Sequence, residues 1–99
     1  MRANFRKAEL ASANFRKAHL NQSVLRDANL TRAYLGDAHL EEADLRGATF
    51  KFAYLSQANL KGANLCGANL TDAKISEEQL AQAKTNWATI LPSGKRRIW

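Results

Sequence analysis

The sequence predicts an all-β solenoid, a chain that coils around its own core, followed by a short C-terminal helix. Three observations support this fold. A large apolar residue recurs at every fifth position from residue 5 to residue 75. Alanine precedes it by two positions in every repeat except one, where Ser23 takes its place. After Ile75 the pattern stops, and a sequence typical of a helix start begins.

The five-residue period excludes both a regular helix and a flat strand. On an α-helix, five residues advance by about 500°, so successive large residues would lie about 140° apart and form no apolar stripe. On a flat strand, an odd repeat would send successive large residues to opposite faces. One bend per repeat removes both difficulties, because alanine and the large residue then point inward on every short side. The predicted inward large residues are Phe5, Leu10, Phe15, Leu20, Leu25, Leu30, Leu35, Leu40, Leu45, Phe50, Leu55, Leu60, Leu65, Leu70 and Ile75.

The small inward residue indicates a narrow interior. Stacked coils of a solenoid lie about 4.8 Å apart, and each coil buries its apolar residues only against the coils above and below. Asparagine or aspartate often follows the alanine. Its short side chain can hydrogen-bond nearby backbone and so stabilise each bend. We expect this role for Asn4, Asn14, Asn29, Asp44, Asn59, Asn64 and Asn69.

The repeat cores Ala63-Asn64-Leu65, Ala43-Asp44-Leu45 and Ala3-Asn4-Phe5 resemble those of the pentapeptide-repeat proteins. The resemblance covers about three quarters of the chain. It implies a right-handed quadrilateral β-helix with four pentapeptides, and therefore twenty residues, in each coil. Fifteen repeats would then make about four coils. Pairs that recur at an interval of twenty, such as His19 with His39 and Tyr34 with Tyr54, agree with this coil length.

The segment after the repeats, residues 76–91, is predicted to be a helical cap. Ser76-Glu77-Glu78-Gln79 has the form of a capping box, with Ser76 at the N-cap and Gln79 three residues later. Two acidic residues in the first turn favour the helix dipole. We expect a helix over about residues 77–84, whereas residues 86–91 could be helical or extended. The apolar residues expected to cover the last coil are Leu80, Trp87, Ile90 and Leu91.

The two ends of the chain carry further expectations. Residues 1–75 form the predicted β-helix, and residues 92–99 a mobile basic tail that follows Pro92-Ser93-Gly94. In the first coil, Phe5 and Phe15 should face each other across the interior. Together with Met1 they form a candidate surface for self-association, or else an aromatic plug that protects the end of the column.

The net charge is +6, of which +5 resides in residues 1–32. This balance favours an acidic partner or nucleic acid over a basic partner. A twenty-residue coil places two candidate contact surfaces on the outside of the column. The first, the arginine ladder, consists of Arg6, Arg26 and Arg46, partly neutralised by Asp27 and Asp44. The second, the aromatic cluster, combines features that dominate protein interfaces, although aromatic ladders also simply stabilise sheets; it comprises Arg32, Tyr34, Phe52 and Tyr54.

Catalytic, metal and cofactor sites are not expected. The sequence has no Gly-rich phosphate loop, no nucleophile beside a plausible base and no metal-ligand spacing. His19 and His39, with Glu41 and Glu42 nearby, would project in parallel rather than converge on a metal. The single cysteine, Cys66, cannot form an internal disulfide and is compatible with a cytoplasmic location. No signal-peptide or membrane-spanning run is present.

These features favour a non-enzymatic structural or protein-interaction module, a rigid rod that presents flat faces to a protein partner or to a second copy. Two alternatives belong to other classes. Some pentapeptide-repeat proteins mimic duplex DNA and bind DNA gyrase, but such mimicry requires a strongly negative surface and this chain is basic. Non-specific nucleic-acid binding through the basic faces is the other alternative.

Overall fold

The computed structural model describes residues 2–96, which form a column of stacked coils. From Asn4 to Lys74, each residue at a backbone bridge pairs in parallel with the residue twenty positions away. One complete coil therefore contains twenty residues. The bridges define four ranks of stacked residues, which we call faces A to D. Face A contains Asn4, Val24, Asp44 and Asn64; face B contains Glu9, Asn29, Thr49 and Asn69; face C contains Asn14, Tyr34, Tyr54 and Lys74; face D contains His19, His39 and Asn59.

Each repeat consists of one short extended side and one β-turn. The turn closes when the amide of the next alanine donates to the carbonyl of the large residue, as from Ala8 N to Phe5 O at 2.9 Å. Four such units complete a coil, so it has four sides. Every strand in the described residues is a single bridge, and the only helix among them is α1, Glu77–Gln82. Helix α1 is too short to cross a membrane, and the described chain offers no other helix for that purpose.

The core is a continuous file of alanine and leucine along the column axis. Alanine and the large residue are buried together in every repeat from residue 28 to residue 70, and Leu25, Leu40 and Leu60 are completely inaccessible to solvent. Phe50 fits the same position with 1% exposure. In the first coil, Phe5 and Phe15 occupy equivalent positions but are only partly buried. Burial of the inward residue therefore depends on coils stacked on both sides.

The turns adopt a backbone conformation that the sequence did not reveal. The second residue of each turn, two positions after the large residue, has a φ angle between 57° and 75°. Glycine is the residue best suited to this region, yet it occupies only three of these turn positions, Gly47, Gly62 and Gly67. The others hold larger side chains, each at a cost of about 1–2 kcal/mol that the stacked ladder must offset.

The predicted asparagine and aspartate turn contacts are present. Each side-chain oxygen accepts a hydrogen bond from the backbone amide two residues later, at 3.0–3.2 Å. At Asn29 and Asn69, the same oxygen also accepts a 2.6 Å bond from the hydroxyl of the following threonine. All seven predicted positions make the backbone bond: Asn4, Asn14, Asn29, Asp44, Asn59, Asn64 and Asn69.

The helical cap is shorter than predicted. Ser76 and Gln79 form the expected capping box, with Gln79 N donating to Ser76 Oγ at 3.1 Å and Ser76 N donating to Gln79 Oε1 at 2.8 Å. The helix ends at Gln82 rather than near residue 84, because Lys84 joins face A. Its amide donates to Ala63 O at 2.8 Å, and its carbonyl accepts from Leu65 N at 2.7 Å. The description of residues 76–91 as a helical cap is therefore wrong beyond residue 82.

After helix α1, residues 83–91 continue the column. The helix, this segment and residues 92–96 together form the last, irregular coil, residues 76–96. Ile90 pairs with Asn69 on face B, twenty-one positions away, so this coil contains one extra residue. The extra residue lies at the turn that begins at Asn86, whose carbonyl accepts from Thr89 N at 3.0 Å. Residues 86–91, left open by the sequence, are thus not helical.

The prediction of a mobile tail from residue 92 is wrong for residues 92–96. Leu91 N donates to Lys95 O at 2.7 Å, and Arg96 forms an antiparallel bridge with Ile90. Pro92 O accepts from Asp72 N at 2.9 Å, which ties this segment to the coil below. Residues 97–99 of the predicted tail lie outside the described residues.

Candidate interaction faces

The aromatic cluster is assembled as the twenty-residue coil predicts. On face C, the Tyr34 and Tyr54 rings stack with 5.0 Å between centroids and 3° between planes. At the adjoining corner, the Arg32 guanidinium lies over the Phe52 ring, 4.8 Å from its centroid. Phe52 and Tyr54 each remain 43% exposed. Two parallel stacks therefore lie side by side on the outside of the column.

Arg16 extends the tyrosine stack, and sequence reasoning missed it. Its guanidinium lies 4.4 Å from the centroid of the Tyr34 ring, on the side opposite Tyr54. The signal was available in the twenty-residue register. Gly36 stands one coil above Arg16 and has no side chain to occupy the adjoining space. A long side chain one coil below an aromatic residue and beside a glycine can turn across the ring.

Phe52 combines exposure with backbone strain. Its φ angle is 60°, in the left-handed region where a bulky side chain is unusual. All other described residues at this turn position with positive φ are polar, charged or glycine. The fold does not require an aromatic residue here, because glycine meets the same need at Gly47 and Gly67. Phe52 is therefore the aromatic exception among the described residues at this turn position, and its side chain is exposed.

The arginine ladder contains an internal ion pair. Arg46 Nε donates to Asp44 Oδ1 at 2.8 Å, and Arg46 Nη2 donates to Asp44 Oδ2 at 2.7 Å. The hydrogen bonds from this side chain hold the pKa of the Asp44 carboxyl below its usual range, against a smaller opposing effect of burial. The carboxylate in turn raises the pKa of Arg46, with small contributions from Cys66 and Asp27. The ladder is therefore partly neutralised, as the sequence predicts.

At the N-terminal coil, the Phe5 and Phe15 rings meet edge to face with 6.2 Å between centroids. They face each other as predicted and remain partly buried. Met1, the third member of the candidate self-association surface, lies outside the described residues.

On face D, the His19 and His39 rings stack with 4.6 Å between centroids and 3° between planes. His39 Nδ1 lies 3.6 Å from Glu41 Oε1. Within residues 2–96, no group of three histidine, cysteine, aspartate or glutamate side chains could hold a metal ion. Cys66 is a free thiol of intermediate exposure at the corner of the arginine ladder.

The predicted capping residues divide into two groups. Leu80 is buried at 2% exposure, and Ile90 and Leu91 are partly buried. Trp87 is 71% exposed, so the prediction that it covers the last coil is wrong. Trp87 lies in the turn that begins at Asn86, and the extra residue in this turn places Thr89 in the small inward position.

Two polar residues of the last coil satisfy backbone groups of the coil below, and sequence reasoning missed both roles. Gln79 Nε2 donates to Leu55 O at 2.7 Å and to Ala58 O at 2.9 Å. Thr89 is fully buried, and its hydroxyl donates to Leu65 O at 2.9 Å. The bond to Ala58 O replaces one that another regular coil would have made, whereas Leu55 O and Leu65 O also accept turn bonds from Ala58 N and Ala68 N.

An open groove of about 690 Å³ lies beside helix α1. It lies where the helix leaves the path of face D, and its lining includes Lys74, Ser76, Glu78 and Gln82. The core of the column is filled by alanine and leucine side chains. The aromatic and charged side chains that could bind a partner therefore lie on the outer faces.

The coil geometry agrees with a comparison to protein families. The family model described as pentapeptide repeats matches with eight copies over residues 1–22, 23–62 and 50–84. The chain belongs to the pentapeptide repeat family. No curated protein sequence matches the chain significantly.

Solved pentapeptide repeat proteins provide structural relatives. One, from the thylakoid lumen of Arabidopsis thaliana, has a TM-score of 0.72 and 28% identity; the match covers 90% of this chain and 58% of that protein. Another, Rfr23 from the cyanobacterium Cyanothece 51142, has a TM-score of 0.51 and 33% identity, covering 89% of this chain and 63% of that protein. The chain thus spans about three fifths of either relative. These pentapeptide repeat neighbours imply a right-handed quadrilateral β-helix.

Proposed function

We propose that this pentapeptide repeat protein is a non-catalytic interaction module. It is a rigid, right-handed quadrilateral β-helix whose flat faces bind a protein partner or a second copy of the chain. The single cysteine supports the cytoplasm, a reducing compartment, as its location.

One observation carries the proposal: the aromatic cluster is an ordered, exposed surface in a fold whose interior is fully occupied. Arg32, Tyr34, Phe52 and Tyr54 are aligned by the backbone ladder, and two of the three rings are 43% exposed. Aromatic and arginine side chains with little freedom to lose contribute strongly to protein interfaces. Phe52 is also the one aromatic residue among the described turn positions with positive φ, since the others are polar, charged or glycine.

Affinity capture with a face variant tests this proposal. The variant Tyr34→Ser, Phe52→Ser and Tyr54→Ser removes the rings but keeps the inward residues, so the circular dichroism spectrum should remain that of the parent. The matched control is His19→Ser with His39→Ser, which removes a stacked pair from face D. We expect a protein captured by the parent and by the control to be lost from the triple variant. Recovery of the same proteins by all three chains would show that the cluster has only a structural role.

Light scattering distinguishes a second copy from nucleic acid as the partner. Molar mass should be measured at low and high salt, with and without sheared DNA. A dimer that resists salt would identify the second copy as the partner and point to the surface around Met1, Phe5 and Phe15. A monomer that associates with DNA only at low salt would support non-specific nucleic-acid binding, whose affinity falls as salt rises. A gyrase-binding DNA mimic is not favoured, because the net charge is +6.

A further inference from the structure

We propose that one face of the column binds an acidic, extended protein segment. This arginine–aromatic face consists of Arg16, Tyr34 and Tyr54 on one side and Arg32 with Phe52 at the adjoining corner. The inference rests on the proposed function, and it specifies both the face and the chemistry of the partner.

The two arginines present anchored guanidinium groups without an acidic partner. Arg16 lies over Tyr34 and Arg32 lies over Phe52, at 4.4 and 4.8 Å from the ring centroids. Within residues 2–96, the close contacts between basic and acidic side chains are Arg46 with Asp44 and His39 with Glu41, so neither stacked arginine contacts a carboxylate. Stacking fixes the plane of a guanidinium and leaves its N–H edge free to bind a carboxylate with two hydrogen bonds.

The geometry of the rings favours a protein over a nucleic acid. Single-stranded nucleic acids bind aromatic side chains by stacking their bases on an open ring face. Tyr34 is covered on one face by Arg16 and on the other by Tyr54, and one face of Phe52 is covered by Arg32. Because the rings stack along the column, their edges point outward. A ring edge carries the positive end of the aromatic quadrupole, and a tyrosine hydroxyl can donate to a carboxylate.

The charge around the two stacked arginines is also positive. Face C and the turns on its two sides, up to the start of helix α1, hold five cationic residues and two acidic ones, so an acidic segment is electrostatically complementary. The cationic residues are Arg16, Lys17, Arg32, Lys51 and Lys74, and the acidic residues are Asp37 and Asp72.

The arginine ladder on the opposite side of face B is the natural comparison. Arg46 is bound by both oxygens of Asp44, and the positive charge of Arg26 also acts on this carboxylate. No stacked aromatic pair accompanies the ladder in the part of the chain that the structure describes. A variant of Arg6 and Arg26 therefore removes the same charge as a variant of Arg16 and Arg32, but from a surface without anchored donors.

Fluorescence anisotropy with two labelled probes tests the inference. One probe is a decaglutamate peptide, and the other is a single-stranded decathymidylate of similar charge. The proteins are the parent, Arg16→Gln with Arg32→Gln, and the charge-matched control Arg6→Gln with Arg26→Gln. We expect the first variant to lose about tenfold or more in peptide affinity and the control about threefold or less. The reason is that the stacked guanidinium groups should contribute more to peptide affinity than the overall charge does.

Two further variants separate side-chain geometry from charge and from folding. Arg16→Lys with Arg32→Lys keeps the charge but removes the planar guanidinium group that can bind a carboxylate with two hydrogen bonds. This variant should lose most of the peptide affinity. Phe52→Ser removes a ring without changing charge, and should also weaken peptide binding. Phe52→Ser decides the test if the arginine variants fail to retain the parent's circular dichroism spectrum. Unchanged peptide affinity in this variant would then overturn the inference.

Other outcomes also contradict the assignment of an acidic segment. No peptide binding by the parent, equal losses in the two glutamine variants, or tighter binding of the oligonucleotide at this face would each overturn it. If one of these results appears while protein capture still depends on Tyr34, Phe52 and Tyr54, the interaction module stands and only the partner's chemistry is wrong. If capture is independent of these rings, the proposed function itself fails.

Discussion

The regular coils and the last coil, residues 76–96, are held together differently. Between residues 23 and 73, every inward position holds serine, alanine or a large apolar side chain. In the last coil, polar side chains also hydrogen-bond backbone groups of the coil below. In the regular coils, the amide and carbonyl groups of one coil pair with those of the next. In the last coil, the Gln79 amide and the Thr89 hydroxyl provide donors to the coil below. The last coil also pairs with the coil below through its backbone, as at Lys84 and Ile90, but it adds contacts from individual side chains.

The two regions of the column should therefore lose stability in different ways. A regular coil loses stability mainly when its apolar volume changes, because each inward residue packs between two neighbouring coils. The last coil loses stability when one polar contact is removed, because a backbone group then lacks its partner, as Asn86 N does without the Thr89 hydroxyl. Four experiments test this difference between the regular coils and the last coil.

Removal of the entire last coil should have the largest effect. A chain that ends at Ile75 exposes Leu65 and Leu70 together with the unpaired backbone of the fourth coil, a combination that promotes association between sheet edges. We expect aggregation or strongly reduced solubility, measured by size-exclusion chromatography with light scattering. A chain shortened only by residues 97–99 is the control. A well-behaved monomer ending at Ile75 would show that the last coil does not protect the column.

Truncation of one inward leucine should distinguish the two regions next. Leu45→Ala lies in the regular coils at 0% exposure and should lower the free energy of unfolding by about 2–5 kcal/mol. Leu91→Ala affects a partly buried residue of the last coil, and we expect about half of that loss or less. Urea unfolding followed by circular dichroism provides both values. Equal losses would contradict the dependence of burial on coils at both sides.

Thr89→Val should affect the last coil through a single hydroxyl. The change keeps the shape of a fully buried side chain but leaves Leu65 O without this donor and Asn86 N without its acceptor. We expect a loss of about 1–3 kcal/mol in the free energy of unfolding. Thr71→Val is the matched control, because its hydroxyl bond to Asn69 lies at the partly exposed surface and the backbone bond to the same oxygen remains. A smaller loss for Thr89→Val than for this control would refute the capping role of Thr89.

The ion pair of the regular coils should have the smallest effect. Asp44→Asn removes the partner of Arg46, a partly exposed pair, and should cost less than about 1 kcal/mol at neutral pH. Because the folded protein lowers the pKa of Asp44, its contribution is complete above the unfolded pKa of about 3.9 and is lost as pH falls through the folded value. The stability difference between parent and variant should therefore shrink at acid pH. A difference that grows as pH falls would contradict this sign.

Much of the fold could be predicted because the five-residue period constrains every repeat in the same way. The inward residues, the asparagine turn contacts, the tyrosine stack and the helix start at Ser76 all follow from local pattern and the twenty-residue register. The candidate site was harder to predict. The aromatic cluster came together as expected, with Arg32, Tyr34, Phe52 and Tyr54. Arg16 was missed because its guanidinium lies over Tyr34 in the next coil, whereas the twenty-residue register pairs Arg16 with Gly36.

The family, the inward positions and the basic charge can be predicted from the amino-acid sequence, because each depends on residue type repeated at short range. The folded chain is needed to see where helix α1 ends, that Trp87 points outward while Thr89 is buried, and that residues 92–96 fold back. It is also needed to see the left-handed turn at Phe52. The end of helix α1 and the burial of Thr89 depend on pairing with a coil about twenty residues away, and residues 92–96 also pair with Ile90 and Leu91. The five-residue pattern stops at Ile75 and does not show which backbone groups will pair.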